Sequence, residues 1–172
     1  MSVDSLLAAL RVSPPMKPLQ AWPCAWQAPA VKDASAWARA QLAALGPAIM
    51  EAQLRLYAHQ RQSVLVVLQG MDTSGKDGLI RRVFTHVNPV GLRVQSFRAP
   101  NAAEQRHHFL WRACRGLPEP GCISVYNRSY YEEVMYLRVH PEQRPQVIED
   151  KDIVGTRLLQ INRFEADLER RG

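Results

Sequence analysis

The fold is decided by the stretch Ser63-Val64-Leu65-Val66-Val67-Leu68, which leads through Gln69 into Gly70-Met71-Asp72-Thr73-Ser74-Gly75-Lys76. A continuous run of β-branched and aliphatic residues is typical of a parallel strand that is buried on both faces, so we expect a central strand over 63–68. The segment after it has the GxxxxGK spacing of a phosphate-binding loop. A helix is predicted over 76–87, because its apolar residues fall on one face. Strand, loop and helix in this order predict one unit of an α/β sheet.

The loop carries the residue types that bind phosphate. Its backbone N–H groups and the positive end of the following helix can be directed at phosphate oxygens, and Lys76 adds a mobile charge. Gly70 and Gly75 keep Cβ atoms away from the anion. Asp77 stands where ordinary loops of this kind carry a Ser or Thr hydroxyl that binds magnesium. A carboxylate there, together with Asp72 inside the loop, indicates a different way of holding the metal.

Two interpretations of these loop residues remain open. A glycine-rich turn with an incidental lysine would match the bare pattern, but the strand before it and the helix after it favour phosphate binding. An acid in a loop that attracts anions is costly unless a divalent cation lies between them, which favours a metal role for Asp72. The alternative for Asp72 is a turn or N-cap contact with nearby backbone N–H groups.

The segments on either side of this unit alternate between helix and strand. We predict one kinked helix or two helices over 35–62, with a break at Pro47. The further predicted elements are a strand over 92–97, a helix over 102–115, a strand over 122–126 and a helix over 152–171. Such alternation implies right-handed βαβ units and a parallel sheet, which is the α/β class.

Length and composition fit one globular domain with an extended arm. The chain has 172 residues, of which 47% are hydrophobic. Five prolines between Pro14 and Pro29 forbid a continuous helix, so we predict a Pro-rich N-terminal arm over 1–33 and a domain over 34–172. The net charge of +6 favours polyanionic partners such as nucleotides, polyphosphate, nucleic acid or acidic membranes.

The remaining composition signals argue against several classes. Cys24, Cys114 and Cys122 are odd in number and form no CxxC pair, so we expect neither a disulfide framework nor a zinc site, and a cytoplasmic location. The apolar run at 6–10 is too short for a signal peptide or a membrane span, and we predict no membrane partner. His107-His108 lacks a third ligand at suitable spacing, so we interpret the pair as surface or packing residues.

A second polar cluster follows the third predicted strand, namely Asn127-Arg128-Ser129-Tyr130-Tyr131-Glu132-Glu133. Ligands of open α/β sheets bind at the carboxyl ends of the strands. Arg128 would then face the same crevice as Lys76, where its planar fork can take two phosphate oxygens and stabilise charge in transfer. Taken alone, an Arg-Ser pair after a strand is equally consistent with a surface turn.

Several motifs between residues 68 and 140 together resemble the polyphosphate kinase 2 family. They are Gly70-Met71-Asp72-Thr73-Ser74-Gly75-Lys76-Asp77-Gly78, Val87-Asn88-Pro89, Ser96-Phe97-Arg98-Ala99-Pro100, Phe109-Leu110-Trp111-Arg112, Asn127-Arg128-Ser129-Tyr130-Tyr131-Glu132-Glu133 and Arg138-Val139-His140-Pro141. The combination is specific, and it covers somewhat under half of the chain. The flanking helices agree with the family more loosely.

The resemblance implies a three-layer α/β/α, P-loop kinase-like fold and an activity. That activity is magnesium-dependent transfer of a terminal phosphoryl group between inorganic polyphosphate and a nucleoside mono- or diphosphate, AMP or ADP. By position it implies catalytic roles for Asp72, Lys76 and Arg128, with Asp72 also a metal ligand. It implies phosphate or nucleotide binding by Gly70, Thr73, Ser74, Gly75, Asp77, Gly78, Asn127 and Glu132. Candidates for the polyphosphate path are Arg81, Arg82, Arg98, Arg112 and Arg138.

The resemblance carries further expectations about substrates and assembly. Asn127, where some members have Asp, implies the branch that accepts both AMP and ADP, and family members are often homo-oligomers. The family pattern continues past residue 172 with two more strands and an arginine-bearing lid. We therefore expect a fold that is incomplete at the C-terminus, with an unpaired edge on the first strand and weak or no turnover.

Two other functions remain open on the sequence. One is a non-catalytic protein or remnant that keeps the loop and uses it to hold polyphosphate or nucleotide. The other is a nucleic-acid-binding module, which the basic composition permits. It ranks last, because the sequence has no recognition motif and no set of aromatic residues for stacking bases.

Overall fold

The computed structural model describes residues 33–143 and 152–172. The chain divides into two compact units, Met1–Ala43 and Ala44–Gly172. Of the first unit, the structure describes only the beginning of a helix, so the predicted Pro-rich arm over 1–33 lies almost wholly outside the described residues. The second unit contains the sheet and every residue of the candidate site.

Helix α1 spans Ala34–His59 and is a single helix that contains Pro47. Its first turn is capped by Asp33, whose carboxylate accepts a hydrogen bond of 2.9 Å from the Ala36 N–H. The predicted break at Pro47 does not end the helix. In the second unit α1 lies so close to the loops of the sheet that a Cβ at Gly91 would meet the side-chain nitrogen of Gln53 at 2.4 Å.

The sheet has three parallel strands, β1 (Val64–Leu68), β2 (Leu92–Ser96) and β3 (Ile123–Asn127), in the order β1-β3-β2. The predicted α/β class and parallel sheet are confirmed. The expectation that β1 is central is wrong for the described residues, in which β3 is central and β1 pairs with β3 alone. The same strand order agrees with the unpaired edge on β1 that the resemblance implies. The aliphatic run indicated burial, which β1 reaches only in part, whereas Val125 and Tyr126 of β3 are completely buried. Burial patterns do not encode strand order.

Two predicted helices end or break earlier than expected. Helix α2 spans Lys76–Val83 rather than 76–87, and a short 3-10 turn over Phe84–His86 leads to the buried, extended Val87. The helix predicted over 102–115 is wrong in its first half, where only a 3-10 turn over Glu104–Arg106 forms, and the second half forms a one-turn helix, α3 (Trp111–Cys114). Local capping around Asn101 competes with the helix, since its side-chain oxygen accepts from the N–H groups of residues 103 and 104.

Two further helices pack against each other. Helix α4 spans Tyr131–Val139, and helix α5 spans Ile153–Arg171 with Asp152 as its N-cap. An ion pair between Arg157 and Glu133 joins them. The core combines the strands with both helices and contains Phe97, Phe109, Leu110, Ala113, Tyr126, Tyr130, Val134 and Ile161. None of the helices in the described part of the chain has the length and apolar character needed to cross a bilayer.

Candidate active site

The carboxyl ends of all three strands open onto one cleft of about 540 Å³. Its walls are the loop between β1 and α2, the segment after β2 and the turn after β3. It is lined by Asp72, Thr73, Ser74, Gly75, Lys76, Asp77, Gly78, Ser96, Phe97, Arg98, Ala99, Asn127 and Arg128. Two predicted motifs that lie about fifty residues apart in the chain therefore meet in a single site.

The loop between β1 and α2 holds Lys76 by its own carbonyl groups. The Lys76 ammonium donates to the carbonyl oxygens of Gly70 and Met71, both at 2.7 Å, and to the Ser74 hydroxyl at 3.3 Å. Gly75 has φ of +93° at the N-cap of α2, a conformation that side chains rarely adopt. The loop thus places a cation beside the first turn of a helix, whose free N–H groups also favour anions.

The turn after β3 presents Arg128 to the same cleft. Arg128 has φ of +65°, in the left-handed region that is costly for a residue with a side chain. Its N–H donates to the Leu68 carbonyl at 3.0 Å, which ties the turn to the end of β1. Its guanidinium pairs with the Asp72 carboxylate and, at 3.2 Å, with Glu132. The strained backbone therefore directs a charged fork at the phosphate loop.

Two carboxylates line the cleft, Asp72 from the loop and Asp77 from α2. Asp72 is largely exposed, and the Asp77 carboxylate accepts a hydrogen bond of 2.5 Å from the Asn127 amide. Among the described residues, no group of three or more His, Cys, Asp or Glu is placed to hold a metal. Magnesium commonly uses only one or two carboxylates and completes its shell with water and substrate phosphates. Asp72 and Asp77 provide two carboxylates, which is the number and type of protein ligand that magnesium commonly uses.

The predicted arginine residues divide into three groups. Arg98 lines the cleft, whereas Arg81, Arg82 and Arg138 are exposed in the last turns of α2 and α4, outside the lining of the cleft. Arg112 is largely buried, donates to the Arg98 carbonyl at 2.7 Å and lies 5.0 Å from the centre of the Phe97 ring. The structure thus gives Arg112 packing contacts next to the cleft. The roles of all five in a polyphosphate path stay predictions.

Glu132, which was assigned to phosphate or nucleotide binding, lies behind Arg128 rather than in the lining of the cleft. Glu132 is hydrogen-bonded to Gln69, a residue of the site that was not predicted from the sequence. Gln69 accepts from the Ser129 hydroxyl at 2.9 Å and donates to Glu132 at 2.6 Å. Its position directly after a strand that leads into the loop was the available signal, because side chains at that point face the neighbouring strand's turn.

Two tyrosines on the far side of the turn share one carboxylate on α5. Glu165 accepts from the Tyr130 hydroxyl at 2.7 Å and from the Tyr131 hydroxyl at 2.9 Å. Burial, followed by the hydrogen bond to Glu165 and its negative charge, raises the pKa of Tyr131 from 10.0 to about 12. The same causes raise the pKa of Tyr130 even further. Both hydroxyls are neutral donors that fix the start of α4, and so the turn that carries Arg128.

The strand, glycine loop and helix, with a cleft at the carboxyl ends of a parallel sheet, define an α/β protein of the P-loop kinase-like class. The chain belongs to the polyphosphate kinase 2 family, since the family described as Polyphosphate kinase 2 (PPK2) matches residues 32–172. The crystal structure of polyphosphate kinase 2 from Arthrobacter aurescens TC1 matches with a TM-score of 0.83 and 32% identity. That match covers 95% of this chain and 56% of the other.

Curated relatives agree with this assignment. The chain is 53% identical to the ADP-polyphosphate phosphotransferase of Rhodopseudomonas palustris over 94 residues, which are 55% of this chain and 32% of the relative. It is 47% identical to the AMP/ADP-polyphosphate phosphotransferase of Meiothermus ruber over 98 residues, which are 57% of this chain and 37% of the relative. The matches therefore span about a third of the length of these two relatives.

Proposed function

We propose that this chain binds inorganic polyphosphate and a nucleoside mono- or diphosphate, AMP or ADP, and transfers a terminal phosphoryl group between them. The observation that carries the proposal is the convergence of Lys76, Arg128 and the carboxylates of Asp72 and Asp77 on one cleft. The two relatives above are named as phosphotransferases that act on ADP, or on AMP and ADP, with polyphosphate. Cytoplasmic location and a homo-oligomeric state remain parts of this proposal.

The reaction mainly requires that the two substrates are correctly positioned and that the negative charge on the phosphate oxygens is stabilised. A phosphate oxygen of the nucleotide forms a bond to the terminal phosphorus of polyphosphate as the bridging P–O bond breaks, and polyphosphate becomes one unit shorter. Negative charge accumulates on the oxygens of the group in transfer, and fixed cations stabilise it. Lys76 must exchange its loop carbonyls for phosphate oxygens, and Arg128 can offer two parallel N–H donors.

Magnesium is part of the proposal on the basis of its ligands. Asp72 and Asp77 would hold it, and the ion would neutralise phosphate oxygens during transfer. With such an ion between Asp72 and the bound phosphates, its positive charge would offset the repulsion between the carboxylate and the phosphate oxygens. The Asp72 carboxylate pairs with the Arg128 guanidinium, and a bound magnesium ion would take the place of that partner.

The test is turnover by the 172-residue chain with AMP, polyphosphate and magnesium, followed by phosphorus NMR for ADP, ATP and shortened polyphosphate. We expect Lys76→Ala to lower turnover by about 100-fold or more, because removing one preorganised charge from such a site has effects of that order. Arg170→Ala is the matched control, since Arg170 is exposed on α5 and its loss changes the net charge of +6 by the same amount.

The possible results separate the candidate functions. Magnesium-dependent turnover that is lost in Lys76→Ala and kept in Arg170→Ala supports the transferase. Polyphosphate binding without turnover, measured by calorimetry, would replace the proposal with a non-catalytic binding protein. Equal losses in the two variants would show that only the overall charge matters, which contradicts a role of the loop.

A further inference from the structure

A continuous chain of hydrogen bonds runs behind Arg128. The Ser129 hydroxyl donates to the Gln69 side-chain oxygen at 2.9 Å, and the Gln69 amide nitrogen donates to one Glu132 oxygen at 2.6 Å. The other Glu132 oxygen accepts from the Arg128 guanidinium at 3.2 Å. Gln69 itself does not line the cleft. The link between its side chain and the Arg128 guanidinium is therefore indirect, through the Glu132 carboxylate.

As long as residue 132 is a carboxylate, this series of hydrogen bonds needs a side chain at position 69 that both accepts and donates. The amide of Gln69 carries an acceptor and a donor on the same planar group, so it can accept from a hydroxyl and donate to a carboxylate. The amide orientation is thereby determined, because reversing it would place the carbonyl oxygen against the Glu132 carboxylate. The Glu132 carboxylate is fixed in turn, with one oxygen held by Gln69 and the other turned towards Arg128.

The backbone of the turn makes this support necessary. Arg128 has φ of +65°, a conformation that persists only when its surroundings hold it. The Leu68 carbonyl holds its N–H, and Ser129 is buried below it with its hydroxyl also accepting from the Tyr131 N–H at 3.2 Å. These contacts fix the backbone but not the long side chain. Its orientation depends on Asp72 on the cleft side and Glu132 on the other.

We propose that Gln69 is a positioning residue for Arg128. Its amide orients the Glu132 carboxylate, and that carboxylate keeps the guanidinium extended towards the phosphate loop. The consequence for catalysis rests on the function proposed above. The positioning itself is a property of the free protein and can be measured without any substrate.

The first experiment follows Arg128 by nitrogen-15 NMR of the full 172-residue chain without nucleotide or polyphosphate. The Arg128 side-chain signal is identified by its disappearance in Arg128→Lys, and the rate of rotation about its Nε–Cζ bond is measured. We expect that rate to rise about tenfold in Gln69→Leu, the factor that corresponds to one lost charge-assisted hydrogen bond. Gln143→Glu is the control, because Gln143 is exposed and lies outside the chain of hydrogen bonds.

A reciprocal exchange separates positioning from general damage to the fold. Gln69→Glu places two carboxylates against each other and should also release Arg128. The double variant Gln69→Glu with Glu132→Gln restores a donor and an acceptor in the same place with their roles exchanged. We expect it to recover slow rotation relative to Gln69→Glu. Thermal unfolding of each variant identifies any that do not fold. Glu132 is partly exposed, and the single variant Glu132→Gln tests its contact with Gln69 by changing the other partner.

Turnover with AMP, polyphosphate and magnesium completes the test. We expect Gln69→Leu to lower kcat by about 100-fold with little change in KM, because a displaced Arg128 affects the group in transfer more than binding. Unchanged Arg128 rotation in both Gln69→Leu and Gln69→Glu would overturn the inference, whatever their activity. A wild-type chain with slow rotation, faster rotation in the variants and no turnover would keep the positioning role and reject the proposed function.

Discussion

The loop after β1 and the turn after β3 both carry a cation to the same cleft, but they are built in opposite ways. Residues 71–75 of the loop are exposed, and Met71 retains 84% of its accessible surface. In the turn, Ser129 and Tyr130 are almost completely buried. The loop is held by hydrogen bonds from Lys76 to its own carbonyls, whereas the turn is held by the protein core. Removing an exposed side chain from the loop should therefore cost little stability, whereas removing a side chain beneath the turn should cost much more.

The largest expected effect comes from removing the core beneath the turn. Tyr126 is completely buried, packs edge to face on Phe97 at 4.8 Å, and donates to the Ala113 carbonyl at 2.5 Å. We expect Tyr126→Ala to lower the free energy of unfolding by about 4 kcal/mol through the cavity it leaves. Tyr126→Phe keeps the ring and should cost about 1–2 kcal/mol for the unpaired carbonyl. Urea denaturation measures both.

A substitution in the loop can be compared directly with the loss of Tyr126. Met71→Ala removes a side chain of similar length from an exposed site, and we expect a change within about 0.5 kcal/mol. A loss of stability in Met71→Ala as large as that in Tyr126→Ala would show that the loop is also part of the core. That result would remove the contrast between the two regions.

A smaller effect concerns backbone strain, which both regions share. Arg128 has φ of +65° and Thr73 in the loop has φ of +64°. Glycine adopts this conformation freely, so Arg128→Gly should be more stable than Arg128→Ala by about 1 kcal/mol, although both lose the guanidinium. Thr73→Gly and Thr73→Ala should show the same difference. Equal stability within each pair, from urea denaturation, would show that neither backbone is strained.

The last comparison is a pH dependence that arises beneath the turn. The pKa of Tyr131 is raised in the folded state from 10.0 to about 12, so the fold binds its proton more tightly than the unfolded chain does. Its contribution to stability is therefore complete below about pH 10 and is lost as the pH rises towards 12. Tyr131→Phe should lose less stability across this interval than the wild type, and Tyr130 should account for part of the slope that remains. Identical pH profiles of the urea midpoint in the two proteins would contradict the raised pKa of Tyr131 in the folded state.

Features that depend on residues close together in the chain could be predicted from the sequence, whereas features that depend on contacts between distant residues could not. The strand 64–68, the loop and the start of α2 depend on neighbours in the chain, and the sequence predicted them closely. The prediction of a helix over 102–115 was wrong in its first half. There the Asn101 side chain accepts hydrogen bonds from the N–H groups of residues 103 and 104, a capping contact that the helical spacing of apolar residues does not reveal. The contact between Gln69 and Glu132 joins residues 63 positions apart, and only the pairing of β1 with β3 brings them together. Helix α4 was missed for a related reason, since it packs against α5, where Val134 and Ile161 share the core and Glu133 pairs with Arg157.

The pairing of Leu68 with Asn127 in the sheet has a consequence for redesign of this site. Neighbouring strands lie about 4.8 Å apart, and the ladder of backbone hydrogen bonds sets that spacing regardless of the side chains. The two turns that carry Lys76 and Arg128 therefore start from points whose separation no single substitution can change. Attempts to fit a longer or shorter acceptor must act on side-chain length or on the number of residues in each turn, with the sheet as a fixed template.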